Sequence, residues 1–248
     1  MAGYRVLPEV YDRWQKSYGK DFSSLILPRL LRTIKQFNIP GKAMLDLACG
    51  TGTLALMMAR RGWKVWGVDA SEGMLLCAAG KTDHLDLPLT FLQQDMRELR
   101  IPEKVFLVTS FFDSLNHLLS EEDLLKTFQA VRASLTQGGY FVFEVSNERC
   151  YETLWTKSET LRLPLFTLVL QNSYEPATRV ATSNVTISQR REHGFEERQE
   201  IVHERFFPGE AVKNLLEKAG FRIELCEDFN FTLHPEIGKL KTWWVARA

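Results

Sequence analysis

Short apolar runs alternate along the chain with stretches whose hydrophobic positions recur every three or four residues. That alternation predicts β–α–β units built around a parallel sheet. Residues 8–37 read as one or two helices, with Ser23 as a cap for the second and Leu25, Leu27, Leu30, Leu31 and Ile34 on its apolar face. Strands are predicted at 43–48, 64–68, 89–93, 105–111 and 140–145. The run at 105–111 is apolar throughout, as expected of a strand covered on both faces. Helices are predicted at 54–60, ending near Gly62, behind a Ser71 cap with Met74, Leu75 and Leu76 inside, and at 123–134. Gly138 and Gly139 are read as the turn into the fifth strand.

The pattern changes between 146 and 207, where helical spacing gives way to Thr, Val, Tyr and Ser. Three antiparallel strands are expected at 165–174, 180–190 and 196–206, with turns at Glu175-Pro176 and around Gly194. Thr182, Asn184 and Thr186 alternate with Ala181, Val185 and Ile187, so one face of this small sheet should meet water. The α/β pattern resumes with a helix at 210–218 and strands at 222–227 and 240–246. The fold expected is an α/β, Rossmann-like, doubly wound and mostly parallel seven-stranded sheet with a small inserted antiparallel β lid. Residues 1–147 and 207–248 would form the main domain, 1–40 a helical cover on it, and 148–206 the insertion.

Composition narrows the function. The 248 residues carry 31 basic and 31 acidic side chains, and the formal net charge is zero. Nucleic-acid binding usually needs a basic excess to neutralise phosphate, so no nucleic-acid partner is expected. No window approaches 18 uninterrupted apolar residues, and the first fifteen carry charges without an apolar run. Neither a membrane span nor a secretion signal is predicted, and cytoplasmic is the default location. Cys49, Cys77, Cys150 and Cys226 are widely spaced, which fits a reducing compartment and small buried apolar roles. No metal-ligating set is read.

The chemistry concentrates in the segment from Met44 to Ala59. Gly50 and Gly52 allow the backbone to approach a ligand, and Gly50 to Ala55 also satisfies the dinucleotide pattern G-x-G-x-x-A. Such a pattern alone also describes a strand–turn–helix junction with no ligand. Three acids add information. Asp46 ends the first strand, where a carboxylate suits an ammonium group and not a phosphate. Asp69 ends the second, where it suits two ribose hydroxyls. Asp95 follows the third, within reach of an adenine amino group, with Met96 or Leu75 to cover the ring. Ammonium, ribose and adenine without pyrophosphate describe S-adenosylmethionine.

These residues resemble the class I S-adenosylmethionine-dependent methyltransferases. Asp46-Leu47-Ala48-Cys49-Gly50-Thr51-Gly52 matches that family's first motif, Val68-Asp69-Ala70-Ser71 its second-strand acid, and Gln94-Asp95-Met96 its third. Leu135 to Tyr140 resembles the turn before the fifth strand, with Gln137 where the family has proline. The resemblance covers about residues 8–147 and 208–248. It implies cofactor contacts from Asp46, Ala48, Gly50, Gly52, Asp69, Ala70, Met74, Asp95, Met96 and Phe112, with Tyr18 closing over them. It also implies an acceptor near Phe112, Asp113, Asn116 and His117. Tyr11-Asp12, Gly19 to Phe22 and the His117-Leu118 pair extend the likeness to small-molecule N- and O-methyltransferases, including those acting on amino sugars.

The candidate catalytic residues are therefore His117 as base, Asp113 as acceptor-orienting or amine-binding group, and Tyr11 as part of the closure. Tyr174, Arg179 and His203 on the insertion are further ligand-facing candidates, with His203 read as an ordinary strand residue. The expected partner is a small-molecule methyl acceptor, and the expected assembly a monomer or homodimer. A nicotinamide-dependent oxidoreductase and a non-catalytic S-adenosylmethionine-binding protein remain as alternatives. The first leaves Asp46 and Asp95 without a role.

Overall fold

The computed structural model describes residues 4–17, 21–192, 194–230 and 238–248. Five strands are parallel: β1 (Ala43–Leu47), β2 (Lys64–Asp69), β3 (Leu89–Gln93), β4 (Val105–Ser110) and β5 (Leu135–Ser146). The hairpin of β10 (Arg222–Phe229) and β11 (Lys241–Arg247) completes the sheet, with β11 antiparallel to both neighbours. The seven strands lie in the order β10-β11-β5-β4-β1-β2-β3, which is the expected fold class.

Alternating side chains feed two cores. Leu45, Val108, Phe141, Phe143 and Trp244 point to one face, where Leu124, Phe128 and Val131 of α5 (Glu121–Ser134) and Val212 and Leu216 of α7 (Gly209–Lys218) cover them. Met44, Leu107, Val142, Trp243 and Val245 point to the other face. There they meet Ile26, Leu27 and Leu30 of α2 (Phe22–Gln36) and Leu54, Ala55 and Met58 of α3 (Thr53–Ala59). Period-two alternation in the strands thus meets period-3.6 stripes in the helices. Between β2 and β3 runs α4 (Glu72–Thr82), capped by Ser71 as expected, whose side chain accepts from the Met74 amide.

The insertion holds α6 (Glu148–Leu154) and a separate antiparallel sheet, β6 (Glu159–Leu163), β7 (Phe166–Glu175), β8 (Val180–Arg191) and β9 (Gly194–Arg205). Sequence reading finds the last three strands and misses β6 and α6. β6 is five residues long, and α6 is two turns held by an Asn147 cap on the Cys150 amide, too short to show a period. The inner face of this sheet buries Phe166, Leu168, Val185, Ile187 and Val202. Against them pack Val6, Leu7 and Val10 from the start of the chain and from α1 (Pro8–Ser17).

Three local expectations are corrected. Asp21, not Ser23, caps α2: its carboxylate accepts from the Ser24 amide at 2.8 Å, and Ser23 lies buried inside the helix. The fifth strand begins at Leu135, and the glycine pair sits within a register shift against β4, not ahead of the strand. Cys226 is exposed and only Cys150 is fully buried, so the uniform reading of the cysteines fails.

Candidate functional site

The turn after β1 is left-handed at Ala48, Gly50 and Gly52, with φ of 54°, 55° and 70°. The Asp69 carboxylate at the tip of β2 holds it: Oδ2 accepts from the Gly50 amide and Oδ1 from the Ser71 amide, each at 2.8 Å. Burial pushes the Asp69 carboxyl above the usual range, and these amide hydrogen bonds pull it back. Beyond the strand tips, where open α/β sheets bind ligands, lies a cavity of about 250 Å³. Ala48, Gly50, Asp69, Ala70 and Met74 line one side, and Met96 and Phe112 the next. Ser114 and His117 line the far side, Tyr4 and Tyr11 border it, and Leu119, Ile201, Val202 and His203 form the remainder. A smaller pocket shares Tyr11, Ala48, Gly50 and Phe112 and extends toward Gln15 and Thr51.

Of the three acids, only Asp69 lines this space. Asp46 is buried, accepts from Thr109 Oγ1 at 2.8 Å, and is pushed by burial up to about 7. Asp95 is held by Arg97, whose Nε donates to it at 2.9 Å and whose second nitrogen donates at 2.6 Å, while Arg97 also bridges to Asp123. That guanidinium keeps the Asp95 carboxyl below the usual range. Gly52 faces the ring of Phe91 and not the cavity. Leu75 is outside the lining, and Tyr18 lies outside the described residues.

The candidates on the β4 side divide as well. His117, in a short 3-10 turn (Ser114–His117), lines the cavity. Its Nδ1 faces the His203 carbonyl at 3.0 Å and its Nε2 the Tyr4 hydroxyl at 3.1 Å. The carbonyl can only accept, so Nδ1 carries the hydrogen and Nε2 the lone pair. Burial lowers the affinity of this imidazole for a proton. Asp113 does not line the cavity. Its carboxylate binds Ser146 Oγ and Lys241 Nζ, and its amide donates to Glu144 Oε1 at 2.9 Å. Lys241 also lies 3.5 Å from Glu144 Oε2. Asn116 is fully buried and bonds the Arg205 carbonyl and the Ser146 amide, so it pins β9 and β5 to the turn. Tyr174 stacks on Tyr151, Arg179 occupies an exposed turn, and neither lines the cavity. His203, read as an ordinary strand residue, does line it.

Phe112 and Asp113 are both left-handed, with φ of 63° and 60°. Glu144 accepts from the amides of both, and burial with the neighbouring Asp113 charge raises Glu144 to about 7 although Lys241 opposes this. Burial disfavours the Lys241 ammonium, yet the Asp113 and Glu144 charges hold its proton more firmly than in water. Lys241, Glu144, Glu204 and Tyr4 escape sequence reading because each sits far along the chain from its partners.

The start of the chain borders the cavity through a second set of contacts. The Glu200 carboxylate accepts from the amides of Arg5, Val6 and Leu7, at 2.6, 3.2 and 3.1 Å. Ser71 Oγ donates to the Tyr4 carbonyl at 2.9 Å, and Asp12 binds Thr51 and Lys81. Glu9 of α1 binds Arg191 and Arg198 of the β8–β9 hairpin.

The lining fits S-adenosylmethionine on its own chemistry. Asp69 offers a carboxylate to ribose hydroxyls, Met74 and Met96 offer apolar cover to a base, and a Cβ at Gly50 would meet no protein atom within 4 Å, so the space there is open. Residues 44–139 match the family described as "Methyltransferase domain". A Geobacillus sp. (strain WCH70) protein with a provisional methyltransferase name is 38% identical over 136 residues, 54% of this chain and 50% of that one. The Streptomyces venezuelae dTDP-3-amino-3,4,6-trideoxy-alpha-D-glucopyranose N,N-dimethyltransferase is 30% identical over 137 residues, 55% of each chain. The match spans about half the length of these curated relatives. An S-adenosylmethionine-dependent methyltransferase structure from Clostridium acetobutylicum ATCC 824 aligns over 98% of both chains with a TM-score of 0.80 at 24% identity. The S-adenosylmethionine-bound amino pentose methyltransferase CalS10 from Micromonospora echinaspora aligns over 96% of both with a TM-score of 0.75 at 20% identity. Residues 44–139 therefore match a methyltransferase domain, and the chain shares the fold of solved S-adenosylmethionine-dependent methyltransferases.

Proposed function

We propose that this protein transfers a methyl group from S-adenosylmethionine to a nitrogen or oxygen atom of a small molecule. The observation that carries the reading is a single cavity joining the Gly50 turn and Asp69 on one side to Phe112 and His117 on the other. When bound, the sulfonium cofactor supplies an electrophilic methyl carbon. The chain's own part is to hold the cofactor through the Gly50 turn and Asp69, exclude water with Tyr11 and Phe112, and take up an acceptor proton at His117 Nε2 through the Tyr4 hydroxyl that donates to it. Orienting the two reactants can itself remove about 7–11 kcal/mol of barrier in the best cases. Asp46 and Asp95 are proposed to shape the cofactor site from behind, through Thr109 and Arg97, with the backbone at Ala70 and Met96 next to the nucleoside.

A small-molecule acceptor agrees with the half-open, largely apolar space beside His117, and the named amino-sugar relative agrees with an amine acceptor. Among the described residues no helix is long and apolar enough to cross a membrane. We read the protein as cytoplasmic, monomeric or homodimeric, and without a nucleic-acid partner. The test is calorimetry with S-adenosylhomocysteine, followed by transfer of labelled methyl to a panel of small amines and alcohols. Binding in the micromolar range is expected. Absence of heat with both S-adenosylhomocysteine and S-adenosylmethionine overturns the proposal.

A further inference from the structure

Alternate positions along β9 put Glu200, Val202 and Glu204 on the buried face of the inserted sheet. A carboxyl group there needs partners, because burial without them is costly. Glu200 has the three amides of residues 5–7. Glu204 accepts from the Tyr151 hydroxyl through Oε2 at 3.0 Å and presents Oε1 to His117 Nε2 at 3.8 Å. His117 and Tyr4 line the cavity, and Glu204 stands behind them, its side chain 6% exposed.

We propose that Glu204 and His117 form one proton-holding pair, in which Glu204 is the positioning residue that tunes the imidazole receiving the acceptor's proton. The inference rests on the methyltransferase reading and narrows it to acceptors that shed a proton on methylation, amines and hydroxyl compounds. The balance is simple. The lone pair on the acceptor nitrogen or oxygen forms the new bond to carbon, and the sulfur keeps the pair of the bond that breaks. The acceptor's proton passes to the Tyr4 oxygen as the Tyr4 hydroxyl proton passes to His117 Nε2. The resulting imidazolium lies beside Glu204, with its Nδ1–H on the His203 carbonyl.

The surroundings suit that role. Burial raises Glu204 well above the usual carboxyl range and lowers His117, so both directions favour an uncharged pair whose Nε2 lone pair accepts from the Tyr4 hydroxyl. The groups facing the pair are Tyr4 from the start of the chain, Tyr151 from α6, Asp113 from the turn after β4, Glu144 from β5 and Lys241 from β11. Glu200 on β9 acts on Tyr4. Interacting sites of this kind titrate as a unit, in two steps that belong to the pair.

The experiment is an NMR titration of the His117 ring in the wild-type protein and in Glu204→Gln, each with and without S-adenosylhomocysteine. A His117→Asn spectrum assigns the signal. The wild type is expected to show the Nδ1–H tautomer and two inflections. Glu204→Gln should collapse them to one, because the upper inflection, which belongs to the Glu204 carboxyl, is lost. An unchanged His117 titration in Glu204→Gln overturns the proposal, even if melting temperature falls, because a purely structural Glu204 would move only the latter. If Glu204→Gln does not fold, Tyr151→Phe serves instead. Loss of the hydroxyl donor should move the upper inflection higher, and no movement overturns the pair. Failure of the wild type to bind S-adenosylhomocysteine would count against the methyltransferase reading alone.

Discussion

Gly52 packs so closely on Phe91 that a Cβ there would lie 2.6 Å from the ring and 3.0 Å from the Ala78 methyl. Gly50, two residues earlier on the same turn, has no protein atom within 4 Å of that position. The two glycines of one motif thus serve different ends, one packing and one ligand access. Both have positive φ, which costs an L-residue about 1–2 kcal/mol. Gly52→Ala adds overpacking of about 1–3 kcal/mol and should lower the melting temperature by roughly 4–20 °C. Gly50→Ala should melt within a few degrees of wild type yet bind S-adenosylhomocysteine about tenfold or more weakly, since its methyl enters the cavity. Calorimetry and thermal melts on both variants check the contrast.

Lys241→Met leaves the buried Glu144 and the half-buried Asp113 without their cation. Removing one partner of such a cluster costs about 3–5 kcal/mol. The melting temperature should fall by roughly 6–20 °C at neutral pH. The loss should shrink in mild acid, where Glu144, raised to about 7, takes up a proton. Differential scanning calorimetry at two pH values measures both effects, and an unchanged melting point would show that the cluster contributes nothing.

Asp46 gives a signed pH dependence. Its folded value of about 7 lies above the ordinary carboxyl value, so the folded chain holds this proton more tightly than the unfolded one. The associated stability is fully present below the unfolded value and is lost as pH rises from about 4 through 7. One proton sets a maximum slope of about 1.4 kcal/mol per pH unit. Asp46→Asn should flatten the unfolding free energy measured by denaturant titration across that window. Equal slopes in the two proteins would contradict the assignment.

Glu200→Ala removes the acceptor for three amides near the start of the chain. Leaving such groups unpaired costs about 1–3 kcal/mol each if they stay buried. Residues 4–7 should instead detach, and S-adenosylhomocysteine should leave faster by about tenfold or more. Stopped-flow dissociation reads this directly. A dissociation rate equal to wild type would mean that these residues do not close the cavity.

The main sheet is legible in sequence because both signals that specify it are local. Runs such as Val105–Ser110 and stripes such as Leu124, Phe128 and Val131 need no knowledge of partners. Asp69 and the Gly50 turn are legible for the same reason. What sequence reading misplaces is a matter of side-chain direction. Asp46 and Asp113 have the right residue type at the right strand tips, yet Thr109 and Lys241 claim them inside the protein. Glu200 and Glu204 are invisible as site residues until β9 is known to turn those alternate positions inward.

Phe112 and Asp113 carry a last implication. Two successive side-chain-bearing residues held in a conformation natural to glycine burden the native state by about 1–2 kcal/mol apiece. Backbone strain alone would favour glycine at either position, and the side chains offset it in different ways. Asp113 holds Lys241 inside the protein, whereas the Phe112 ring joins Phe22 to the cavity wall, so one strained pair ties the sheet's interior to its ligand-facing rim.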